Sequence, residues 1–118
     1  LKTLVLGAST KPHRFSYKAV QRLVDHHHEV VAFGRKEGEI NGVTIDTELN
    51  KYADIHTITL YLNPTAQEEY YEYIISLQPK RVIFNPGTEN PDFFEQLTEK
   101  GVQCVSACTL VMLASNQY

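Results

Sequence analysis

The sequence has no apolar run near the ~20 residues that a membrane-crossing helix requires, so no membrane association is expected. No secretory leader is expected, since a strand-like segment begins almost at Leu1. Cysteine is scarce: Cys104 and Cys108 are the only two, four positions apart, too few for a disulfide scaffold. They read as the reduced thiols of a cytoplasmic protein. C-x-x-x-C without neighbouring histidine or cysteine partners is a poor zinc site, so no metal centre is expected. Basic charge is not in excess either. The net charge of −3 excludes the broad cationic footprint of a nucleic-acid binder, while a single cationic cleft remains allowed. What is left is ordinary in proportion: 118 residues, 42% hydrophobic and 21% charged, suit one domain over residues 1–118 rather than a disordered or fibrous chain.

Apolar runs alternate with segments of helical spacing. Residues 2–6 (K-T-L-V-L) end at Gly7, as a buried parallel strand would. A loop over 7–15 leads to Ser16, a candidate N-cap, after which Tyr17, Val20, Leu23, Val24 and His27 recur at helical spacing. Residues 29–33 (E-V-V-A-F) read as a second strand closed by Gly34. A short third strand is expected at 43–45, a turn of helix at 47–52, and a fourth strand at 55–62. Asn63-Pro64 and Asn90-Pro91 each set a capping side chain before a proline at the first helical position. The helices they open bury Ala66, Tyr70, Tyr73, Ile74 and Leu77, ended by Pro79, and Phe93, Phe94 and Leu97, ended by Gly101. Strands at 81–84 and 102–105 and a final helix at 107–114 complete the pattern. Such alternation predicts an α/β, Rossmann-like, doubly wound parallel sheet in a three-layer αβα sandwich, with strand order 3-2-1-4-5-6.

In that topology a ligand lies beyond the carboxyl ends of the strands, where the strand order reverses. The first such segment supplies Gly7, Ala8, Ser9, Thr10, Lys11, Arg14 and Ser16: small residues, hydroxyls and positive charge beside a helix N-terminus. These are the ingredients of a phosphate loop, although a tight strand-to-helix turn needs the same small residues. The dinucleotide fingerprint G-x-G-x-x-G keeps only Gly7, and no acid follows the second strand; Gly34, Arg35 and Lys36 stand there instead. That opposes NAD and suits a phosphorylated ribose, as in the 2′-phosphate of NADP or the 3′-phosphate of coenzyme A. The alternative is a solvated turn in which Arg35 and Lys36 pair with Glu37 and Glu39. Leu62, Asn63 and Pro64 end the fourth strand, and Asn85, Pro86, Gly87 and Thr88 the fifth, either as rims of a cleft or simply as helix starts and turns. His26, His27 and His28 fall at a helix C-terminus, where imidazoles complement the dipole better than they would hold a metal. Tyr70, Tyr71 and Tyr73 read as helix–sheet packing, with a homodimer interface as the alternative. Cys108, just past the last strand at a helix start, is a candidate reactive thiol, set against a small buried residue that packs the turn.

These segments resemble the single-domain coenzyme A-binding proteins, relatives of the nucleotide-binding domain of the succinyl-CoA synthetase α chain. The matching elements are G-A-S-T-K-P-H-R-F-S-Y (residues 7–17), G-x-x-x-G-E-I-N-G-V (34–43), Leu62-Asn63-Pro64 and Asn85-Pro86-Gly87-Thr88, with Cys108 at a position where the family commonly has cysteine. The likeness runs from about Leu4 to the end. It implies that Gly7, Ser9, Arg14 and Ser16 face phosphates, that Arg35 and Lys36 lie near the adenosine end, and that Asn63 and Pro64 flank the adenine or the pantetheine arm. The family usually has proline where Gly34-Arg35 stand. Its larger synthetases transfer phosphoryl groups through a histidine in a separate domain with an ATP-grasp partner, and this chain has room for neither. No acid–base pair or Ser-His-Asp set falls at the strand ends. The expectation is a non-enzymatic binder of coenzyme A or acyl-CoA, a carrier, sensor or regulator with an unidentified downstream partner. Two alternatives stay open: an NADP-binding oxidoreductase subunit, and a protein–protein interaction module with a vestigial nucleotide pocket.

Overall fold

Thr3–Leu6 (β1) is buried on both faces, as its unbroken apolar reading requires, and it lies at the centre of the sheet. The computed structural model describes residues 1–118. After β1 come α1 (Phe15–Asp25), β2 (Val30–Phe33), β3 (Gly38–Ile40), β4 (Val43–Asp46) and β5 (Thr57–Leu60). Next are α2 (Pro64–Gln67), a 3₁₀ turn (Glu68–Tyr70), α3 (Tyr71–Ser76), β6 (Arg81–Phe84), α4 (Pro91–Glu99), β7 (Gln103–Ser106) and α5 (Thr109–Ala114).

The sheet has seven strands in the order β3-β4-β2-β1-β5-β6-β7. The expected purely parallel order 3-2-1-4-5-6 is corrected by a seventh strand: β3 lies outside β4, the expected third strand, and the other six keep that order. Asn41 and Gly42 both take positive φ, 51° and 87°, and fold the chain back so that Ile40 pairs with Val43. Two residues with φ > 0 are what a tight type I′ hairpin demands, and Asn-Gly is its commonest sequence. The hairpin adds β3 as an antiparallel edge strand, so the Rossmann-like sheet is mixed; every other pairing is parallel.

Alternation along the strands divides the core between two faces. Leu4, Leu6, Ile58, Leu60, Val82 and Phe84 pack with Ile74 of α3 and Phe93 and Leu97 of α4. Val5, Ala32 and Ile45 pack instead with Val20 and Leu23 of α1 and Leu113 of α5. Asn63 and Asn90 cap their helices through side-chain oxygens that accept from Ala66 N–H (2.8 Å) and Phe93 N–H (3.1 Å). Gly101, at φ 82°, closes α4 with paired bonds from Gly101 N–H to Thr98 and from Val102 N–H to Leu97.

Three local expectations are corrected. No helix forms at 47–52; that loop is held by the Tyr52 hydroxyl on the Asp46 carboxylate and the Tyr73 hydroxyl on the Asn50 carbonyl. Ser16 is not the cap of α1 but a buried residue in its first turn, and Arg14 occupies the N-cap. The helix opened by Asn63 runs only four residues before its 3₁₀ turn and α3.

A cationic cleft at the strand ends

Two close backbone approaches shape the carboxyl ends of β1 and β2. The N–H groups of Gly7 and Ala8 both donate to the Phe33 carbonyl, at 3.0 and 2.8 Å, with Gly7 at φ 101°. A Cβ on Gly34 would run into the Ala8 carbonyl oxygen, and the Gly34 N–H donates to Asp46 at 3.0 Å. Proline would lack that donor and collide at that contact. Glycine therefore fits position 34 because two strand-end loops touch here.

Above this contact opens a cleft of about 450 Å³, lined by Gly7, Ala8, Ser9, Thr10, Lys11, Arg14, Phe33, Gly34, Arg35, Lys36, Tyr61, Leu62 and Tyr70. Four of these are cations and none is an acid. The only ion pair in the molecule joins Lys2 to Glu29 at 3.6 Å, so none of the four is neutralised within the chain. Arg35 and Lys36 do not pair with Glu37 and Glu39, which instead line a separate groove of about 690 Å³ with Asp46 and Glu48. That groove is the larger, but its acids repel the anions that the cleft attracts. Phe33, Leu62 and Tyr70 form an apolar wall, the two rings edge to face at 5.5 Å and 69°.

A second cleft of about 210 Å³ continues from the first through Gly7, Ser9, Arg14 and Tyr61, and adds Phe15, Ser16, Asn63, Pro86, Gly87 and Thr88. The start of α1 lies on both. Its N-cap, Arg14, makes no side-chain cap, and the first turn contains no acid. The N–H groups of Ser9, Thr10, Phe15 and Ser16 have no acceptor in the protein. Arginine at the positive end of a helix dipole, with orphan donors around it, is a poor arrangement for the helix itself. It is a good one for an anion.

The two clefts together gather Gly7, Ala8, Ser9, Thr10, Arg14, Ser16, Gly34, Arg35, Lys36, Leu62, Asn63, Pro86, Gly87 and Thr88. Three other candidates line neither. Asn85 is 2% exposed and fully engaged below the cleft: its amide donates to Thr59 (2.7 Å) and Leu60 (2.8 Å) and its oxygen accepts from Thr109 N–H (2.9 Å). Pro64 is turned outward as the first residue of α2. Cys108 is half-buried at the N-cap of the six-residue α5 and caps it with no side-chain bond. Thr88 lines the second cleft, but its hydroxyl donates to the Asn85 carbonyl at 2.7 Å.

Four lining residues escaped the sequence reading: Phe15, Phe33, Tyr61 and Tyr70. Phe33 and Tyr61 directly precede candidates at strand ends, so the same positional rule reaches them. Phe15 is 65% exposed, unusual for phenylalanine. Tyr61 is mostly buried, which pushes its hydroxyl up to about 12, with partial relief from Thr59 and Thr109. Those two hydroxyls bond each other at 2.8 Å, and the Tyr61 hydroxyl has no partner of its own.

No helix is long and apolar enough to cross a membrane. Across its length the chain is similar to known folds. A crystal structure of an uncharacterized protein is 50% identical, superposes with a TM-score of 0.96, and is matched over 99% of this chain and 97% of that one. A Thermus thermophilus protein from cell-free synthesis (20% identity, TM-score 0.86, 99% and 90% of the two chains) and a hypothetical protein from Pyrococcus horikoshii (24%, 0.85, 96% and 81%) share the fold. No curated protein sequence matches it. The model of the CoA binding domain family matches residues 2–114, a span that contains all seven strands, and the chain belongs to that family.

Proposed function

We propose that the protein binds coenzyme A or an acyl-CoA in this cleft, as a non-enzymatic cytoplasmic module that carries, senses or regulates. The observation that carries this reading is the start of α1: an arginine at an uncapped N-terminus, orphan N–H donors, and three further unpaired cations around one cleft. The pyrophosphate is assigned to the first loop and the α1 N-terminus, where donors and dipole act together. The adenine lies against Phe33, Leu62 and Tyr70, and the ribose 3′-phosphate meets Arg35 and Lys36. The uncharged pantetheine arm follows the second cleft, where Arg14 is the only charged residue.

The test separates phosphate recognition from fold analogy. A charge-assisted hydrogen bond contributes about 1.5–3 kcal/mol, roughly tenfold to a hundredfold or more in affinity. Changing Arg35→Ala and Lys36→Ala together should weaken coenzyme A by at least the lower factor. Dephospho-coenzyme A, which lacks the 3′-phosphate, should bind wild type and double variant almost equally. Calorimetric titration of both ligands into both proteins gives the coupling directly. Equal losses for the two ligands would refute the assignment of these cations.

A further inference from the structure

We propose that Gln67 is a positioning residue that sets the spacing of the β5 and β6 loops lining the second cleft, and with it the grip on the ligand's uncharged arm. The inference rests on the ligand reading above. Gln67 touches neither cleft. It is completely buried at the end of α2, a place where leucine would pack at no polar cost. Its amide nitrogen gives one hydrogen to the Leu62 carbonyl and the other to the Thr88 carbonyl, both at 2.8 Å. Its oxygen accepts from the Asn90 amide at 3.1 Å.

The two carbonyls belong to the neighbouring loops that follow β5 and β6. Leu62 precedes Asn63 after β5, and Thr88 follows Pro86 and Gly87 after β6; Asn63 and Thr88 both line the second cleft. A primary amide is planar, and its two N–H bonds diverge at a fixed angle. One buried NH₂ group bonded to both loops therefore holds them at one separation. Glutamate at this position would offer no donors, and methionine or leucine would leave both carbonyls unpaired. The bracket is itself braced. Asn90 also donates to the Tyr71 hydroxyl at 2.7 Å and accepts from Phe93 N–H at 3.1 Å. Buried networks in which every member is satisfied rigidify what they join.

The test uses two ligands of different reach. Adenosine 3′,5′-bisphosphate fills the first cleft only, whereas coenzyme A extends into the second. Two variants loosen the bracket: Gln67→Met, close in volume but without donors, and Asn90→Asp, which keeps the helix-cap acceptor while losing both N–H donations. Each should weaken coenzyme A roughly five- to tenfold and the bisphosphate less than twofold, because only the arm in the second cleft must re-order the loosened loops when it binds. A general loss of fold would lower both affinities alike, so equal losses overturn the positioning role, as does no loss for either ligand. Should circular dichroism show Gln67→Met to be unfolded, Asn90→Asp decides. A wild-type protein that binds neither ligand would instead bring down the nucleotide reading itself, and this inference with it.

Discussion

Replacing Arg14 by serine should make the empty protein more stable and the ligand weaker, two effects that rarely travel together. Arg14 has extended backbone angles, φ −75° and ψ 142°, the conformation in which a serine hydroxyl can accept from the first-turn N–H groups. A serine cap contributes about 1 kcal/mol, and taking a cation off the positive end of the dipole adds roughly 0.3–1 kcal/mol. The sum, about 1–2 kcal/mol, corresponds to a rise in Tm of roughly 4–8 °C for a chain of this size. Against this stands the lost contact to a phosphate, about 1.5–3 kcal/mol, or roughly tenfold to a hundredfold in affinity for coenzyme A. Thermal melts of the ligand-free protein and calorimetric titration measure the two arms separately. Arg14→Ala is the control, since it removes the charge without adding a cap and should gain only the dipole part. Arg14→Ser with unchanged or lower stability in the empty protein, or with wild-type affinity, would refute the argument that α1 sacrifices its cap for a ligand.

Two further outcomes follow from features away from the cleft. His27 ends α1 at φ 65° with bonds from His27 N–H to Val24 and His28 N–H to Leu23, a termination that suits glycine, so His27→Gly should raise stability by about 0.5–1 kcal/mol in denaturant melts. His28 and His56 both titrate below the ordinary histidine value, in each case first because burial disfavours the charged form, and then because positive groups including Arg81 lie nearby. Their depressed folded values mean that the unfolded chain takes up protons first, so stability is full above about pH 6.5 and falls as pH drops below it. Thermal melts from pH 7.5 to 5 should show this loss, and His56→Gln should make it shallower; an unchanged slope would count against the assignment.

The layered α/β class was legible because β1 and β6 are mostly apolar runs, β5 is rich in β-branched residues, and the Asn-Pro pairs mark helix starts by local chemistry alone. The Asn41-Gly42 turn is an equally local sign, but the edge strand before it has only three residues, too few for a strand pattern. The split of the second long helix had no such sign. The site was legible at the strand ends, where topology says to look. Its apolar wall was not: Tyr70 has the spacing of a packing residue, and only the 3₁₀ turn after Gln67 carries it over Phe33.

Asn85 and Gln67 mark the boundary between the two kinds of information. Both are small polar side chains near strand or helix ends, and in the sequence Asn85 looks like the better ligand contact. In the folded protein Asn85 ties β6 to β5 and to α5, while Gln67 ties together the two loops after β5 and β6. The sequence by itself determined which segments are strands, where most helices begin, and that cations gather after β1 and β2. Those properties depend on neighbours a few positions apart: alternation, capping and proline. Only the tertiary structure decided which polar groups face the cleft and which are consumed beneath it. A hydrogen bond between residues 21 to 26 positions apart depends on where the intervening chain returns, and no local pattern carries that.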